Sequence, residues 1–157
     1  MTDGARATTR VAVALGSNLG DRPALLAEAT ARLASVLTSL RASTFHDTVP
    51  VGVPAPQPNY LNAVVVGETT LTARELLAAL LAIERTMGRT RPHDGAPRTI
   101  DLDLILYGTS MIDEPALTVP HPRFRERGFV LAPLCEIAPE MIDPVSGETA
   151  AALLDRL

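Results

Sequence analysis

The chain has 157 residues, 46% hydrophobic and 20% charged, the balance of one folded globular domain. A formal net charge of −4 argues against broad nucleic-acid binding, which relies on a basic surface, and a single cysteine, Cys135, excludes a disulfide framework or a cysteine-built zinc cluster within the chain. All 14 Lys+Arg positions are arginine, which removes side-chain Schiff-base chemistry and the lysine-bearing P-loop. Aromatic residues are 3%, so the core is expected to be aliphatic. Cys135 sits in an apolar run and reads as a buried structural thiol rather than a nucleophile. No apolar run is long enough to span a membrane, and the first nine residues lack the apolar core of a signal peptide, so a cytoplasmic protein is expected.

Residues 1–9 are polar and expected to be loose. Residues 11–15, VAVAL, read as a buried strand. The turn at 16–23 follows, where Asp21 suits a helix cap and Pro23 a first helical turn. Such a turn can hold an anion on its backbone amides, but without a lysine or a full G-x-G-x-x-G an ordinary connection is the better reading. Residues 23–37 carry Leu25, Leu26, Ala29, Leu33 and Val36 at near-helical spacing. Residues 40–48 read as a strand. Pro50, Pro54, Pro56 and Pro58 make 49–59 an extended loop. Residues 60–68 are a strong strand pattern, with Asn62 on the same face as Tyr60 and Val64. A capping box at Thr72 and Glu75 opens a helix that buries Leu76, Leu80, Ile83 and Met87 and ends at Gly88. A strand over 100–107, a turn over 108–113, a short edge strand over 117–119, a break at Pro120-His121-Pro122, a helix over 129–134 and a last helix over 149–157 complete the chain.

The densest chemistry lies between Gly88 and Gly108. Arg89, Arg91 and Arg98 punctuate a Gly/Pro-rich loop, with Arg85 close before it. The next strand opens with Asp101 and Asp103, which alternation puts on one face, while Leu102, Leu104 and Leu106 point into a core. Adjacent carboxylates repel, and a divalent cation between them resolves the conflict; Mg²⁺ commonly pairs one or two carboxylates with substrate phosphates. The guanidinium forks suit those phosphates. An isolated D-x-D would more often be solvated or paired with Arg98, and it is the surrounding arginines that favour a polyanion site. Asn62, beside Tyr60, either bonds a neighbouring turn or reads the edge of a flat heterocycle.

The element order is β-α-β-β-α-β. It predicts an α+β, ferredoxin-like split βαβ sandwich, an antiparallel sheet with helices on one face plus C-terminal additions, forming a single domain over 1–157. Fold alone names no function.

The runs ALGSNLGD at 14–21, PNYLN at 58–62, GR at 88–89 with PRTIDLD at 97–103, VPHP at 119–122 and RGF at 127–129 together resemble the 6-hydroxymethyl-7,8-dihydropterin pyrophosphokinases of folate biosynthesis, in order, over about residues 11–139. The resemblance implies transfer of pyrophosphate from ATP to the pterin's hydroxymethyl oxygen, leaving AMP, with two Mg²⁺ held by Asp101 and Asp103. It implies catalytic roles for Arg89, Arg98, Asp101 and Asp103, with Asp101 helping to deprotonate the hydroxymethyl group. It implies a pterin pocket of Thr48, the backbone of Val51, Tyr60, Asn62 and Phe129. It implies ATP contacts from Glu84, Arg91, His121 and Arg127. His46 and His93 receive no role from it. ATP and the pterin are the expected partners, with no nucleic acid, no membrane and a monomer.

The chain departs from the family pattern in three places. Gly95-Ala96-Pro97 stands where a tryptophan often precedes G-P-R, and the expectation is altered lid closure and product release rather than altered chemistry. Pro122 follows His121 where an aromatic is common, and the loop over 49–58 differs in length and sequence. Two competing readings remain at this point: another two-metal phosphoryl or nucleotidyl transferase on the same fold, and a small-ligand or RNA-binding module. Asn62 with its flanking aromatics argues against the first. Two Tyr and three Phe in all, with an acidic net charge, argue against the second.

Overall fold

The structure is a computed structural model that describes residues 7–49, 59–88 and 99–157. Arg89, Arg91, Arg98 and Val51 lie outside the described residues, as does the Gly95-Ala96 departure. The elements run β1 (Thr9–Ser17), α1 (Arg22–Leu33), β2 (Thr38–Ala42), β3 (His46–Thr48), β4 (Tyr60–Thr69), α2 (Ala73–Thr86), β5 (Asp101–Tyr107), β6 (Ile112–Glu114), β7 (Leu117–Val119), a 3₁₀ turn at Phe124–Glu126, α3 (Gly128–Ile137) and α4 (Ala150–Asp155).

The main sheet has the order β2-β4-β1-β5, with β3 also on β4, and every pairing is antiparallel. This is the ferredoxin-like arrangement the element order predicts, an α+β fold. The central strands β1 and β4 are apolar on both faces because both faces are covered. On one face α1 and α2 bury Leu26, Leu33, Leu76 and Leu80 against Val11, Val13, Leu15 and Val65. On the other, the C-terminal additions α3 and α4 bury Val130, Leu131, Leu134 and Leu153 against Ala12, Val64, Val66 and Ile105. Burying each such aliphatic side chain contributes about 1.5–3 kcal/mol.

Local chemistry sets the helix starts. Asp21 Oδ1 accepts the Ala24 N–H at 3.2 Å to cap α1. Thr72 and Glu75 complete the capping box of α2, with N–H to oxygen distances of 3.1 and 2.8 Å.

Three local expectations need correction. Leu106 belongs to the α3 side, not to the core that holds Leu102 and Leu104. A β-bulge sets Ala12 opposite Leu106 and Val13 opposite Leu104, so Ile105 is the extra residue and the alternation reverses there. The strand expected over 40–48 is two strands. Between them the Ser43 N–H bonds Val64 O and the Ser43 hydroxyl takes the Val64 N–H, each at 2.9 Å, in place of an unbroken ladder. Cys135 is half-buried rather than buried, though burial, followed by Asp155, does raise its thiol pKa.

Candidate active site

The chemistry-bearing residues gather on the α3 face of the sheet, where β1 ends and β4 and β5 begin. There the register lines up His46, Asn62, Gly16 and Asp101 as direct neighbours on β3, β4, β1 and β5. Direct partners in an antiparallel pair share a face, so the four residues form one row. The next row inward sets Asp103 opposite Ala14, and Ala14 opposite Val64.

Gly16 makes this row a notch. A Cβ there would sit 3.1 Å from Asn62 Oδ1 and 3.5 Å from the Tyr60 ring. Only a residue without a side chain leaves that ground clear. Asn62 is buried, and its Nδ2 donates to Thr48 Oγ1 at 2.5 Å. Thr48 itself is the cross-strand partner of Tyr60. Tyr60, Asn62 and Thr48, three of the residues assigned to a pterin pocket, are therefore brought together. The turn after Gly16 is less ordinary than its sequence suggests, because Ser17 and Asn18 are fully buried. Two small polar side chains at the end of an apolar strand were the available signal.

Asp101 and Asp103 are half-buried, while Leu102 between them is buried on the other face. Their cross-strand neighbours, Gly16 and Ala14, carry no side chain or a single methyl, so the space before the carboxylates is not filled from β1. An all-oxygen pair of carboxylates on one strand face fits a hard divalent cation. No cluster of three or more metal-type side chains occurs among the described residues. Glu84 approaches the same strand from α2. It is buried, and its Oε2 accepts the Leu102 N–H at 2.7 Å.

His121 follows the cis Val119–Pro120 bond, and its N–H bonds the carbonyl of the bulge residue Ile105 at 2.9 Å. Its Nδ1 accepts the Arg123 N–H at 3.2 Å, so the neutral ring carries its proton on Nε2. Burial first, then the Arg127 charge and more weakly Arg123, hold its pKa below the ordinary 6.5, against an upward pull from Asp101. His121 is thus a neutral donor within electrostatic reach of both Asp101 and Arg127. Arg127 lies over Phe129, its guanidinium carbon 5.5 Å from the ring centroid. Phe129 is 36% exposed in the first turn of α3. The neighbouring Arg125 points away from this group and forms a two-point pair with buried Asp143, at 2.5 and 2.9 Å.

Fold and site together define a class, a ferredoxin-like transferase in which a buried amide, a glycine and a carboxylate share one row of the sheet, with a second carboxylate in the next. Residues 12–139 match the family model of 7,8-dihydro-6-hydroxymethylpterin-pyrophosphokinase (HPPK), and the chain belongs to that family of diphosphotransferase enzymes. The 2-amino-4-hydroxy-6-hydroxymethyldihydropteridine pyrophosphokinase of Synechocystis sp. is 43% identical over 147 residues, covering 92% of this chain and 74% of that protein. A folate synthesis bifunctional protein, mitochondrial, from Pisum sativum is 43% identical over 134 residues, covering 85% of this chain and 26% of that one. Among solved structures, Plasmodium falciparum HPPK-DHPS superposes with a TM-score of 0.78 at 14% identity, over 98% of this chain, which spans only 45% of that one. That likeness concerns the fold.

Proposed function

We propose that this protein transfers the β,γ-pyrophosphoryl unit of ATP to the hydroxymethyl oxygen of 6-hydroxymethyl-7,8-dihydropterin, releasing AMP, as a step of folate biosynthesis. The observation that carries the reading is the row Asn62–Gly16–Asp101. Adjacent strands lie about 4.8 Å apart, so the amide that reads a ring edge stands about 10 Å from the first carboxylate. A fused bicyclic ring with a one-carbon arm can bridge that span, with its edge at Asn62 and its hydroxyl toward Asp101.

In this reading Asn62 and Thr48, with the backbone of Val51, bind the pterin edge, and Tyr60 and Phe129 cover its faces. His121, as a neutral Nε2–H donor, and Arg127 bind ATP phosphate oxygens, joined by Arg91 and by Glu84 on the nucleotide side. Arg89 and Arg98 stabilise the charge that builds during displacement. The hydroxymethyl oxygen forms a bond to the β-phosphorus, the bond from that phosphorus to the α,β-bridging oxygen breaks, and the hydroxyl proton passes to Asp101. Asp101 and Asp103 would hold two Mg²⁺, which neutralise phosphate charge and orient the triphosphate. The protein acts as a single domain and a monomer in the cytoplasm.

The test is a product assay with purified protein, ATP, Mg²⁺ and the hydroxymethyl pterin, resolved by ion exchange. AMP and a pterin diphosphate in equal amounts, formed only with both substrates, are expected. ADP or free phosphate instead would refute pyrophosphoryl transfer.

A further inference from the structure

The strand that carries Thr48 is only three residues long, and besides its pairing with β4 it is tied to α3. The three donors that hold it come from the segment just before Thr48 and converge on one carboxylate. Glu136 accepts the Thr44 N–H at 3.0 Å and the Thr44 hydroxyl at 2.7 Å, and it meets His46 Nε2 at 2.6 Å. A carboxylate only accepts, so His46 carries a proton on Nε2. The Thr44 backbone, the His46 side chain and the Thr44 hydroxyl keep the Glu136 carboxyl well below its ordinary range, at about 2. Glu136 is therefore an anion throughout the working pH range. An isolated exposed ion pair would fix little, but three donors on one carboxylate fix both position and angle.

The placement of this latch gives it a consequence. His46 is the direct cross-strand partner of Asn62, and Thr48, two residues on, accepts from Asn62 Nδ2. At the other end of the bond, Glu136 lies seven positions after Phe129 on α3, two turns along the same helical stripe. One side of the latch thus carries the ring-edge readers, and the other carries the exposed ring of Phe129. The bond from β3 to α3 spans the gap between them.

We propose that His46, Thr44 and Glu136 are positioning residues for the flat ring. They hold the Thr48–Asn62 edge and the Phe129 face at the separation that admits it, without touching the substrate. The inference rests on the pterin reading above and adds residues to which that reading assigns no role. Its signature is selectivity: the ring's affinity suffers, and the triphosphate's does not.

The test combines steady-state kinetics with direct titration of the naturally fluorescent pterin. His46→Ala should raise the pterin KM and Kd about fivefold to tenfold, the scale of one lost net hydrogen bond. Its ATP KM should stay within about twofold, with little change in kcat. His46→Gln, whose amide N–H lies where Nε2 was, should recover most of the loss. The His46→Ala/Glu136→Ala pair should be no worse than the poorer single variant, because both break one linkage. Equal rises for both substrates, a fall in kcat alone, or no rescue by Gln would each overturn the latch. Wild-type protein that makes AMP and pterin diphosphate alongside unaffected variants would overturn the latch alone. Wild-type protein without that activity would overturn the underlying reading with it. If His46→Ala lowers the melting transition, Thr44→Val, which removes one donor and keeps the backbone bond, supplies the same pterin-against-ATP comparison.

Discussion

Glu84 accepts the N–H of Leu102, the residue between the two aspartates, through a bond of 2.7 Å that is wholly buried. The strand β5 is the outer strand of the sheet, so the N–H of Leu102 would otherwise face out of the ladder unpaired. The α2 helix thereby holds the backbone that aims Asp101 and Asp103. Glu84→Ala should destabilise the protein by about 1–3 kcal/mol, the cost of a buried donor left without its acceptor, and should also raise the Mg²⁺ concentration needed for half-maximal turnover. Glu84→Gln keeps an acceptor oxygen and should cost less on both counts. Urea midpoints and Mg²⁺ titrations of activity measure the two effects. Equal stability for the Ala and Gln variants would remove Glu84 from this role.

The carboxylate pair makes a sharper demand. If Asp101 and Asp103 hold the cations, Asp101→Ala or Asp103→Ala should cut turnover about a thousandfold at saturating substrates, with the melting transition nearly unchanged. Excess Mg²⁺ should not restore it. Near-normal turnover of either variant under saturating Mg²⁺ would contradict the metal assignment. Neither side chain packs in a core, since both are half-buried at the mouth of the site. Loss of activity is therefore separable from loss of fold.

What the amino-acid order reveals is what neighbours along the chain decide. Alternation puts Asp101 and Asp103 on one face and Asn62 with Tyr60, and the capping box at Thr72 needs only Glu75. The family motifs identify the same residues. What the order hides is set by cross-strand register. The face of Leu106 depends on a bulge against Ala12 and Val13. The break between β2 and β3 depends on a bond between Ser43 and Val64, 21 positions apart. The His46–Glu136 contact spans 90 positions and has no local signature. Gly16 reads as turn punctuation until the register puts it between Asn62 and Asp101.

The C-terminal region carries a pH response of its own. Burial disfavours the Asp143 charge, but the Arg125 side chain, the Ser146 hydroxyl and the Val145 N–H outweigh it and lower its pKa from 3.8 to about 2. A carboxyl with a depressed folded-state pKa stabilises the fold above its unfolded value. That contribution is therefore complete above about pH 4 and is lost as pH falls from about 4 toward 2, amounting to about 2 kcal/mol. Asp143→Asn should lower the urea midpoint at neutral pH and flatten its decline on acidification. An unchanged acid slope in Asp143→Asn would show that other carboxylates govern acid unfolding.

The notch at Gly16 and the amide of Asn62 should be separable from the phosphate side of the site. Asn62→Ala removes the edge-reading amide and leaves the Thr48 hydroxyl without its donor. It should raise the pterin Kd about tenfold or more while leaving the ATP Kd within about twofold. Gly16→Ala acts by crowding, since its Cβ would fall 3.1 Å from Asn62 Oδ1 and 3.5 Å from the Tyr60 ring. Those side chains must yield a few tenths of an ångström, which narrows the notch and tilts the amide. The pterin Kd should rise in the same direction by a smaller factor. Combining the two changes should give less than the sum of their effects, because the methyl then meets an alanine in place of the amide. Fluorescence titration of the pterin against each variant, with an ATP titration as control, reads all of this directly. Equal weakening of ATP and pterin by Asn62→Ala would mean that the row does not bind the ring.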